Sequence, residues 1–430
     1  MKSFLKIATL LSFFTSLVSC NTIEPVPIDQ NIKIAEIDAA VKEVYLSINV
    51  ASPSSNKEMV LERNGQIVMK FSANKTDTAI TDTGLTENTV YKYRAKLTEK
   101  GKVIGESSEV SVRTMQPTSH EFSWQTFAFG NAGAGSSSLY DVAIIDENNI
   151  WAVGEIYMKD STGKPDPHAY NAAHWDGSKW ELKRITVNFR GSQITPPLEG
   201  AFAFSSTDIW FVGSLPIHGD GQNWVMYDLR TTVDPNLSLS KTWGASTNDM
   251  YFVGRVGSIA HYKNGQWQKI ESGTNADIQD IWGIEEGGKQ TILCAVSNVL
   301  TSGENKILRI NEGKIDQINW VSGRRAHSIW FNDQNNIFVS GGGVFIRKQQ
   351  KWEEQTSLPL TYTRRIRGNG KNDVFVAGDF GMVGHYNGKN WKIYPEVAQG
   401  LYYSMDYKKK IMVAAGGSDK AIVLIMKKIR

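Results

Sequence analysis

The sequence predicts an all-β protein, and three observations carry that prediction. Residues 242–270 read as four short strands separated by turns, and this unit recurs from about residue 120 to residue 430. β-Branched and aromatic residues dominate the strands, and Asn264-Gly265 can supply the positive φ that a two-residue hairpin requires. Before the repeats, residues 31–116 alternate apolar and polar side chains in short stretches. We therefore expect a small β-sandwich followed by a ring of four-stranded sheets.

The number of sheets follows from one position in the second strand of each copy, which is mostly aromatic. We call the set of these positions the aromatic column. The column lies at residues 151, 210, 251, 293, 338, 375 and 412, so successive copies are 59, 41, 42, 45, 37 and 37 residues apart by subtraction. A repeat of this length with four strands is typical of the blades of a β-propeller. The sequence therefore predicts a seven-bladed β-propeller over residues 120–430.

The two ends of the repeat region predict how the ring closes. The last copy stops at residues 421–426, which form a third strand with no fourth strand after it. A strand with a tryptophan, residues 123–127, stands before the first copy. We expect this N-terminal strand to complete the last blade, because that pairing removes two free sheet edges and locks the ring.

Composition excludes several classes of function. The 47 Lys and Arg residues nearly balance the 44 Asp and Glu residues, and a net charge of +3 does not favour nucleic acid as a partner. The only cysteines are Cys20 and Cys294, so no C-x-x-C metal or redox site is possible. No cofactor and no metal site is expected.

The N-terminus reads as a targeting segment. Residues 1–6 are basic, residues 7–18 are apolar but too short to span a bilayer, and Leu17-Val18-Ser19-Cys20 follows. This segment resembles the lipobox of bacterial lipoproteins. The resemblance implies a signal peptide over residues 1–19, acylation of Cys20 and a tether over residues 20–30, which would anchor the protein to a membrane of the cell envelope. Asn21 favours the outer membrane, and the sequence leaves open which face carries the protein.

Residues 31–116 carry a second resemblance. Leu85, a polar turn and then Thr89-x-Tyr91-x-Tyr93-x-Ala95 resemble the signature of fibronectin type III domains. The tyrosine near the start of this strand is similar to the tyrosine corner of immunoglobulin-like sandwiches. The resemblance implies a spacer or a surface for protein contacts, without catalysis.

The repeat itself resembles known bacterial propellers. Asn248-Asp249 and residues 250–254, followed by His261-Tyr262 and Trp267, resemble the pattern N-D-[IV]-[WFY]-x-V-G … H-Y-x-G-x-W, with Met250 at the [IV] position and one extra residue before Gly265. This pattern is similar to sialidase-type and photosynthesis-assembly-factor-type propellers. The sialidase Asp-box is absent, so no sialidase catalytic residue is carried over to this chain.

Most polar motifs are interpreted as structural. Residues 283–290 resemble a phosphate-binding loop, but Gln290 replaces the Ser or Thr of that motif and a strand follows. The repeated histidines His174, His261 and His385 are expected to pack and hydrogen-bond within separate blades. The repeated aspartates Asp208, Asp249 and Asp373 are expected to stabilise turns. No catalytic residue is predicted.

Departures from the repeat indicate where a ligand would bind. Gly154 and His174 are twenty residues apart, where regular copies have seven, and the second copy is interpreted as lengthened through residues 215–223. Residues 186–199 and 230–240 form long connections between copies. Loops between strands two and three and connections between blades open on one face, which we call the upper face, so all four insertions are expected there.

The predicted ligand-binding residues lie near the starts of the inner strands. Aromatic rings with Arg and Asp suit a sugar or a peptide. The candidates are Tyr140, Asp141, Trp243, Asp280, Trp282, Arg325, Trp330, Arg365, Arg367 and Tyr403.

Three functions are compatible with the sequence. The first is a lipoprotein whose propeller binds a glycan or an envelope protein without catalysis. The second is a glycoside hydrolase or lyase, or less readily a glycosyltransferase, with acids among Asp141, Asp160, Asp166, Asp220 and Asp280. The third is a scaffold or assembly factor of an outer-membrane complex. Two carboxyl groups roughly 5–10 Å apart over an open mouth would favour the enzyme, whereas a plugged mouth with an apolar rim would favour the scaffold.

Overall fold

The computed structural model of the chain describes residues 32–298, 303–321, 323–397 and 399–429. Cys20, the predicted signal peptide and the tether lie outside the described residues. Within them the chain divides into two units, one of residues 32–39 and 43–114 and one of residues 40–42 and 115–429.

The first unit is a β-sandwich. One antiparallel sheet has the strand order β1-β2-β5, and the other has the order β4-β3-β6, with both β7 and β8 pairing with β6. Alternate residues of both sheets, including Leu46, Ile48 and Leu61, bury their side chains in one shared core. The strands are β1 (Ile32–Ala39), β2 (Glu43–Val50), β3 (Lys57–Arg63), β4 (Gln66–Ser72), β5 (Asp77–Thr83), β6 (Val90–Glu99), β7 (Lys102–Glu106) and β8 (Val110–Arg113).

Two tyrosines of β6 fix this sandwich in different ways. The hydroxyl of Tyr91 accepts a hydrogen bond from the backbone N–H of Thr86 at 2.9 Å, a contact of the kind that a tyrosine corner makes. The fully buried Tyr93 donates to Asp82 at 2.7 Å, and Asp82 is also paired with Arg63. The relation to fibronectin type III domains stays a prediction.

The second unit is a propeller of seven four-stranded antiparallel sheets, as predicted. Strand β9 (Phe122–Phe129) precedes the first sheet. Blade 1 is β10 (Ser138–Asp146), β11 (Asn149–Ile156), β12 (Tyr170–Trp175) and β13 (Trp180–Lys183), and a hairpin of β14 (Val187–Phe189) and β15 (Ser192–Ile194) follows. Blade 2 is β16 (Gly200–Ser205), β17 (Asp208–Val212), β18 (Pro216–Gly219) and β19 (Trp224–Met226), and the short helix α1 (Leu229–Thr232) follows.

The remaining blades are more regular. Blade 3 is β20 (Leu239–Ser246), β21 (Asp249–Gly254), β22 (Ile259–Lys263) and β23 (Gln266–Lys269), and blade 4 is β24 (Ile278–Glu286), β25 (Lys289–Ser297), β26 (Asn305–Asn311) and β27 (Lys314–Ile318). Blade 5 is β28 (Ala326–Asp333), β29 (Asn336–Gly341), β30 (Gly343–Lys348) and β31 (Lys351–Glu354). Blade 6 is β32 (Thr363–Gly370), β33 (Asp373–Gly378), β34 (Val383–Tyr386) and β35 (Trp391–Ile393). Blade 7 begins with β36 (Tyr402–Lys408), β37 (Ile411–Gly417) and β38 (Ala421–Lys428).

The ring closes as the sequence predicts. Strand β9 pairs antiparallel with β38, from Phe122 opposite Lys428 to Phe129 opposite Ala421, and so supplies the fourth strand of blade 7. Each innermost strand lies beside that of the next blade, and β36 of blade 7 lies beside β10 of blade 1. Apolar side chains fill the spaces between neighbouring blades, so the core of the propeller is a series of interfaces around an axis.

One detail of the closing strand differs from the expectation that it carries the usual tryptophan of the fourth strand. That tryptophan, for example Trp267 in blade 3, pairs with the residue after the third-strand histidine, here Tyr262. Trp124 instead pairs with Met426. Met426 is the residue at the histidine position, since it lies opposite Met412 of the predicted column. A shift of one residue along a strand moves a side chain to the other face of the sheet. Trp124 therefore faces solvent and is 43 % exposed.

The predicted insertion in the second copy is wrong. Strand β18 begins at Pro216, only four residues after β17 ends, and Ser214 makes the tight turn with φ +64°. Residues 220–223 form the next hairpin turn, where Asp220 accepts bonds from Gln222 and Asn223. The other three insertions are present, and antiparallel connectivity places all three on the upper face.

The repeated histidines are structural, as predicted. Each third-strand histidine packs against the ring of the aromatic column and hydrogen-bonds the residue at the start of strand two. His261, for example, lies 4.0 Å from the ring of Tyr251 and 2.7 Å from Asp249. His218 belongs to this set, since it stacks on Trp210 and bonds Asp208, and the mistaken loop in blade 2 concealed it.

A further histidine joins the closing strand to blade 6. His120 Nδ1 lies 2.8 Å from His385 Nδ1, and His385 Nε2 lies 2.8 Å from Asp373. Tyr407 donates to the same carboxylate, and Lys428 lies 3.3 Å from it. One imidazole must donate to the other, so the contact requires at least one neutral ring.

Acid is expected to weaken this contact. Burial and then the neighbouring His385 lower the pKa of His120 from 6.5 to about 4, and burial lowers the pKa of His385. The unfolded chain then binds more protons than the folded chain between pH 6.5 and about pH 4, so this stabilisation is complete above pH 6.5 and is lost as pH falls through that window. The melting temperature should fall between pH 7.5 and pH 4.5, and His120→Asn should reduce the fall by about 2 °C. An unchanged fall in the variant would contradict this account.

Candidate functional site

The axis of the propeller is blocked by a belt of buried charges. The belt is Asp141 of blade 1, Lys241 of blade 3, Asp280 of blade 4 and Arg365 and Arg367 of blade 6; all are buried except Lys241, whose side chain is 15 % exposed. Arg365 donates to Asp141 at 3.2 Å and to Asp280 at 2.7 Å, and Lys241 reaches Asp141 at 2.9 Å. Arg367 binds both oxygens of Asp280 at 2.9 Å. The belt thus ties four blades together across the ring.

Hydroxyl groups from two more blades complete the belt. Ser328 of blade 5 donates to Asp280, and Ser404 of blade 7 donates to Asp141, each at 2.5 Å. Burial alone would raise the pKa of both aspartates, but the neighbouring cations lower it below its ordinary value. The two carboxylates therefore stay ionised at neutral pH, and neither can serve there as a general acid.

Above the belt lies the upper cavity, of about 520 Å³. Its walls are the starts of the inner strands, including Tyr140, Lys241, His327, Arg364 and Tyr403. Arg364 lies over the ring of Tyr403 at 5.1 Å and pairs with Asp379, and Arg255 pairs with Glu199 at 3.0 Å. Burial and then the charge of Arg364 lower the pKa of His327 to about 3, so its ring is neutral.

Below the belt lies the lower cavity, of about 640 Å³, between the ends of the inner strands. Its walls are mostly apolar, with Trp282, Phe331 and Met405 among them. Asp406 also lines it, and burial raises the pKa of this carboxyl group. The belt therefore separates an upper cavity rich in charge from a lower cavity with apolar walls.

The structure divides the predicted ligand-binding residues among several places. Tyr140 and Tyr403 line the upper cavity as expected. Most of the other predicted residues do not line the upper cavity, so that expectation is wrong for them. The inner strands run from the upper to the lower face, and residues further along each strand lie deeper in the ring. Asp141 and Asp280 are buried in the belt, and Arg365, Arg367, Trp282 and Trp330 line the lower cavity. Arg325 is half-buried just before β28.

Two of the tryptophans pack between blades. The ring of Trp243 in blade 3 covers Gly283 of blade 4, where an added Cβ would lie 2.6 Å from it. The ring of Trp330 in blade 5 covers Gly368 of blade 6 in the same way, at 2.8 Å. These rings therefore fit only beside glycine, and their role is to hold adjacent blades together.

The candidate acids on loops also have hydrogen-bond or ion-pair partners. Asp160 accepts bonds from Thr162 and Lys164 within its own turn, and Asp166 pairs with Arg184 at 2.6 Å. Asp220 stabilises the hairpin turn of blade 2 described above. Within the described ranges, no group of three or more His, Cys, Asp or Glu residues is placed to hold a metal ion.

Sequence reasoning missed an apolar rim on the upper face. Val256 and Phe380 occupy equivalent loops between strands two and three of blades 3 and 6, and Leu360 lies in the connection between blades 5 and 6. Their side chains are 65 %, 79 % and 86 % exposed. The backbone N–H of Asp379 donates to Tyr362 at 2.9 Å, which joins the loop of Phe380 to the segment of Leu360.

The rim also has an unusual backbone. Val256 has φ +52° and ψ +41°, and Phe380 has φ +58° and ψ +27°. This left-handed region costs a residue with a β-carbon on the order of 1–2 kcal/mol, and it is rare for β-branched or bulky side chains. Such outliers concentrate at functional sites, so the two loops are candidates for contact with a ligand.

Comparisons with known proteins bear on the fold alone. No family model and no curated protein matches the sequence. The solved structure of YCF48 bound to D1 peptide is similar with a TM-score of 0.52 at 16 % identity, over 71 % of this chain and 97 % of that chain. The computationally designed Ika8 protein has a TM-score of 0.44 at 11 % identity, over 69 % of this chain and 98 % of that chain. The C-terminal WD40 domain of Sif2 has a TM-score of 0.44 at 10 % identity, over 67 % and 96 %.

At these identities the likeness concerns the fold. The second unit is a β-propeller, and its blades are the repeats that the sequence predicts. In the part of the chain that the structure describes, no helix is long and apolar enough to cross a membrane.

Proposed function

We propose that this chain is a non-catalytic docking protein of the bacterial cell envelope, and that the upper face of its propeller binds a protein partner. The observation that carries the proposal is the exposed apolar rim of Val256, Leu360 and Phe380. Exposed apolar groups beside a cavity are typical of surfaces that contact another protein. Left-handed Val and Phe, where Gly or Asn would be unstrained, indicate that these side chains are retained for contact.

The rim and the upper cavity suit an extended partner segment. Val256 directly follows Gly254 and Arg255, which line the upper cavity, and Phe380 directly follows Asp379, which pairs with the lining residue Arg364. A segment that crosses the mouth can place an apolar side chain against Leu360 and Phe380, and its polar groups can reach Arg364, Tyr403 and Tyr140. YCF48, a propeller that has been solved bound to a peptide, supports this class of partner.

The belt argues against the enzyme alternative. Asp141 and Asp280 are held as ion-paired carboxylates below a blocked mouth, and the loop acids Asp160, Asp166 and Asp220 are engaged in turns or pairs. The pKa of each of these five candidate acids lies below its ordinary value, whereas a glycoside hydrolase needs one carboxyl group to carry a proton at working pH. The plugged mouth with an apolar rim instead matches the arrangement expected of a scaffold or assembly factor.

The cellular location is part of the proposal. A signal peptide over residues 1–19 would direct the chain to the envelope and be removed, and acylation at Cys20 would hold the chain at an envelope membrane, with the outer membrane favoured by Asn21. The support for this location is the sequence of residues 1–21.

Crosslinking at the rim tests the proposal. A photo-crosslinking amino acid at position 380, in cells that make the protein, should give one protein adduct. Leu360→Asp in the same chain should reduce that adduct at least tenfold, because a charge replaces the adjoining apolar contact. Val225→Asp is the matched control, since Val225 is an exposed apolar residue on the outer strand of blade 2, and this substitution should leave the adduct unchanged. An adduct that Leu360→Asp leaves intact, or no adduct at all, would contradict the proposal.

A further inference from the structure

The closing strand β9 has an unusual free edge. It pairs only with β38 in the described chain and ends the sheet of blade 7. It is eight residues long, whereas the outer strands of the other six blades, β13, β19, β23, β27, β31 and β35, have three to five residues. Ser123, Trp124 and Gln125 are exposed along it. A long edge of this kind presents a row of unpaired N–H and C=O groups.

The edge also lacks the usual protection against pairing. Charged residues and short strands normally prevent edges from binding other strands. Five of the other six outer strands contain Lys, Glu or Asp, and the sixth, β19, has only three residues. Strand β9, Phe-Ser-Trp-Gln-Thr-Phe-Ala-Phe, has no charged residue and no proline. Among the described outer strands of the propeller, β9 alone is both long and uncharged.

Trp124 reinforces this contrast. In each of the other blades, one residue of the outer strand also lies opposite the third-strand histidine position, and we call these positions a row. Its residues are Glu181, Val225, Gln268, Asp316, Glu353 and Lys392, of which four are charged. The row therefore faces solvent and tolerates charge, so packing within the propeller does not require a tryptophan there. An exposed tryptophan on an unprotected edge favours contact with another chain.

We propose that β9 pairs antiparallel with β9 of a second copy of this chain, so that two blade-7 sheets form one continuous sheet across a twofold axis. The partner must supply a strand of similar length with a free edge, and the second copy supplies one. Antiparallel self-pairing places no like charges opposite each other, because β9 carries none. This surface lies on the outer side of blade 7 and is independent of the proposed rim on the upper face.

Symmetry limits the register of this pairing. A twofold axis perpendicular to the sheet keeps each side chain on its own face, so residues of the same parity lie opposite each other. Trp124 would then lie opposite Thr126 or Ala128 of the second copy. Phe127 and Phe129 keep their own packing against Trp175 and Trp180 of blade 1. The interface is small, so we expect a dissociation constant in the micromolar range.

Sedimentation equilibrium tests the proposal with the chain from Asn21 onward, which contains all the described residues. Between 1 and 200 µM, concentrations chosen to bracket roughly micromolar affinity, the unmodified chain should pass from monomer to dimer. Trp124→Lys should weaken the dimer at least tenfold, because it places a charge on the edge at a position that accepts charge in other blades. Val225→Lys, in the same row of blade 2, should leave the dimer unchanged, and both variants should keep the unmodified melting temperature.

Two results would overturn the proposal. One is a chain that stays monomeric throughout the concentration range. The other is a dimer that Trp124→Lys leaves intact or that Val225→Lys weakens equally, since either would place the interface elsewhere. Failure here leaves the rim proposal standing, because crosslinking at position 380 does not depend on β9.

Discussion

Replacing Arg365 by alanine is expected to lower the free energy of unfolding of the propeller by about 3–5 kcal/mol. The reason is that Arg365 is the cation shared by Asp141 and Asp280, both of which are about 1 % exposed. Removing it leaves two buried carboxylates with less neighbouring positive charge. A buried charge that has lost its partner destabilises a protein by more than the intact ion pair stabilises it. Urea unfolding followed by tryptophan fluorescence measures the change.

The neighbouring arginine provides the control. Arg364 is half-buried, pairs with Asp379 at the edge of the upper cavity and belongs to the same strand. Arg364→Ala should cost about 0–1 kcal/mol, as partly exposed pairs do. Equal losses for the two variants would show that the belt contributes no more than a surface pair.

Phe122→Ala is expected to open the closure and cost about 3–5 kcal/mol. Phe122 is 4 % exposed and packs edge-on against Phe375 at 5.0 Å, His385 at 5.1 Å and Tyr394 at 6.2 Å. It therefore fastens the first strand of the propeller to its last two blades. Differential scanning calorimetry should show a lower melting temperature.

A second phenylalanine on the same strand serves as the comparison. Phe129 is half-buried and contacts Trp180 at 6.0 Å, so Phe129→Ala should cost roughly half as much or less, in keeping with its smaller loss of buried apolar area. If Phe122→Ala proves as mild as Phe129→Ala, the closing strand contributes little to the stability of the ring.

The parts of the fold that local sequence could predict are those that local periodicity encodes. The column from Trp151 to Met412 marks the second strand of every blade because each blade must bury that position against its neighbour. The missing fourth strand after residue 426 and the spare strand before Ser138 predict closure by simple counting. Blade 2 differs from the prediction because Ser214 adopts a left-handed turn that normally calls for Gly, so the sequence carries no signal for the short loop.

The site was harder to predict because it depends on which strand positions point to the axis. Asp141, Asp280 and Arg365 are far apart in sequence, and only the closed ring brings them together. Consecutive arginines in β32 suggested a ligand, but β32 presents Arg364 to the upper cavity and Arg365 and Arg367 to the belt. The rim escaped notice because Val256 and Phe380 precede glycines in turns, and neither exposure nor a positive φ can be read from those residues.

The most direct test of docking at the upper face compares crosslinks from the two faces in the same cells. Position 380 lies on the apolar rim, and Glu286 is an exposed residue beside the lower cavity. A photo-crosslinking residue at 380 should capture one protein, and the same residue at 286 should capture none. Capture of a partner from position 286 with none from position 380 would place the binding site on the opposite face and contradict the proposed function.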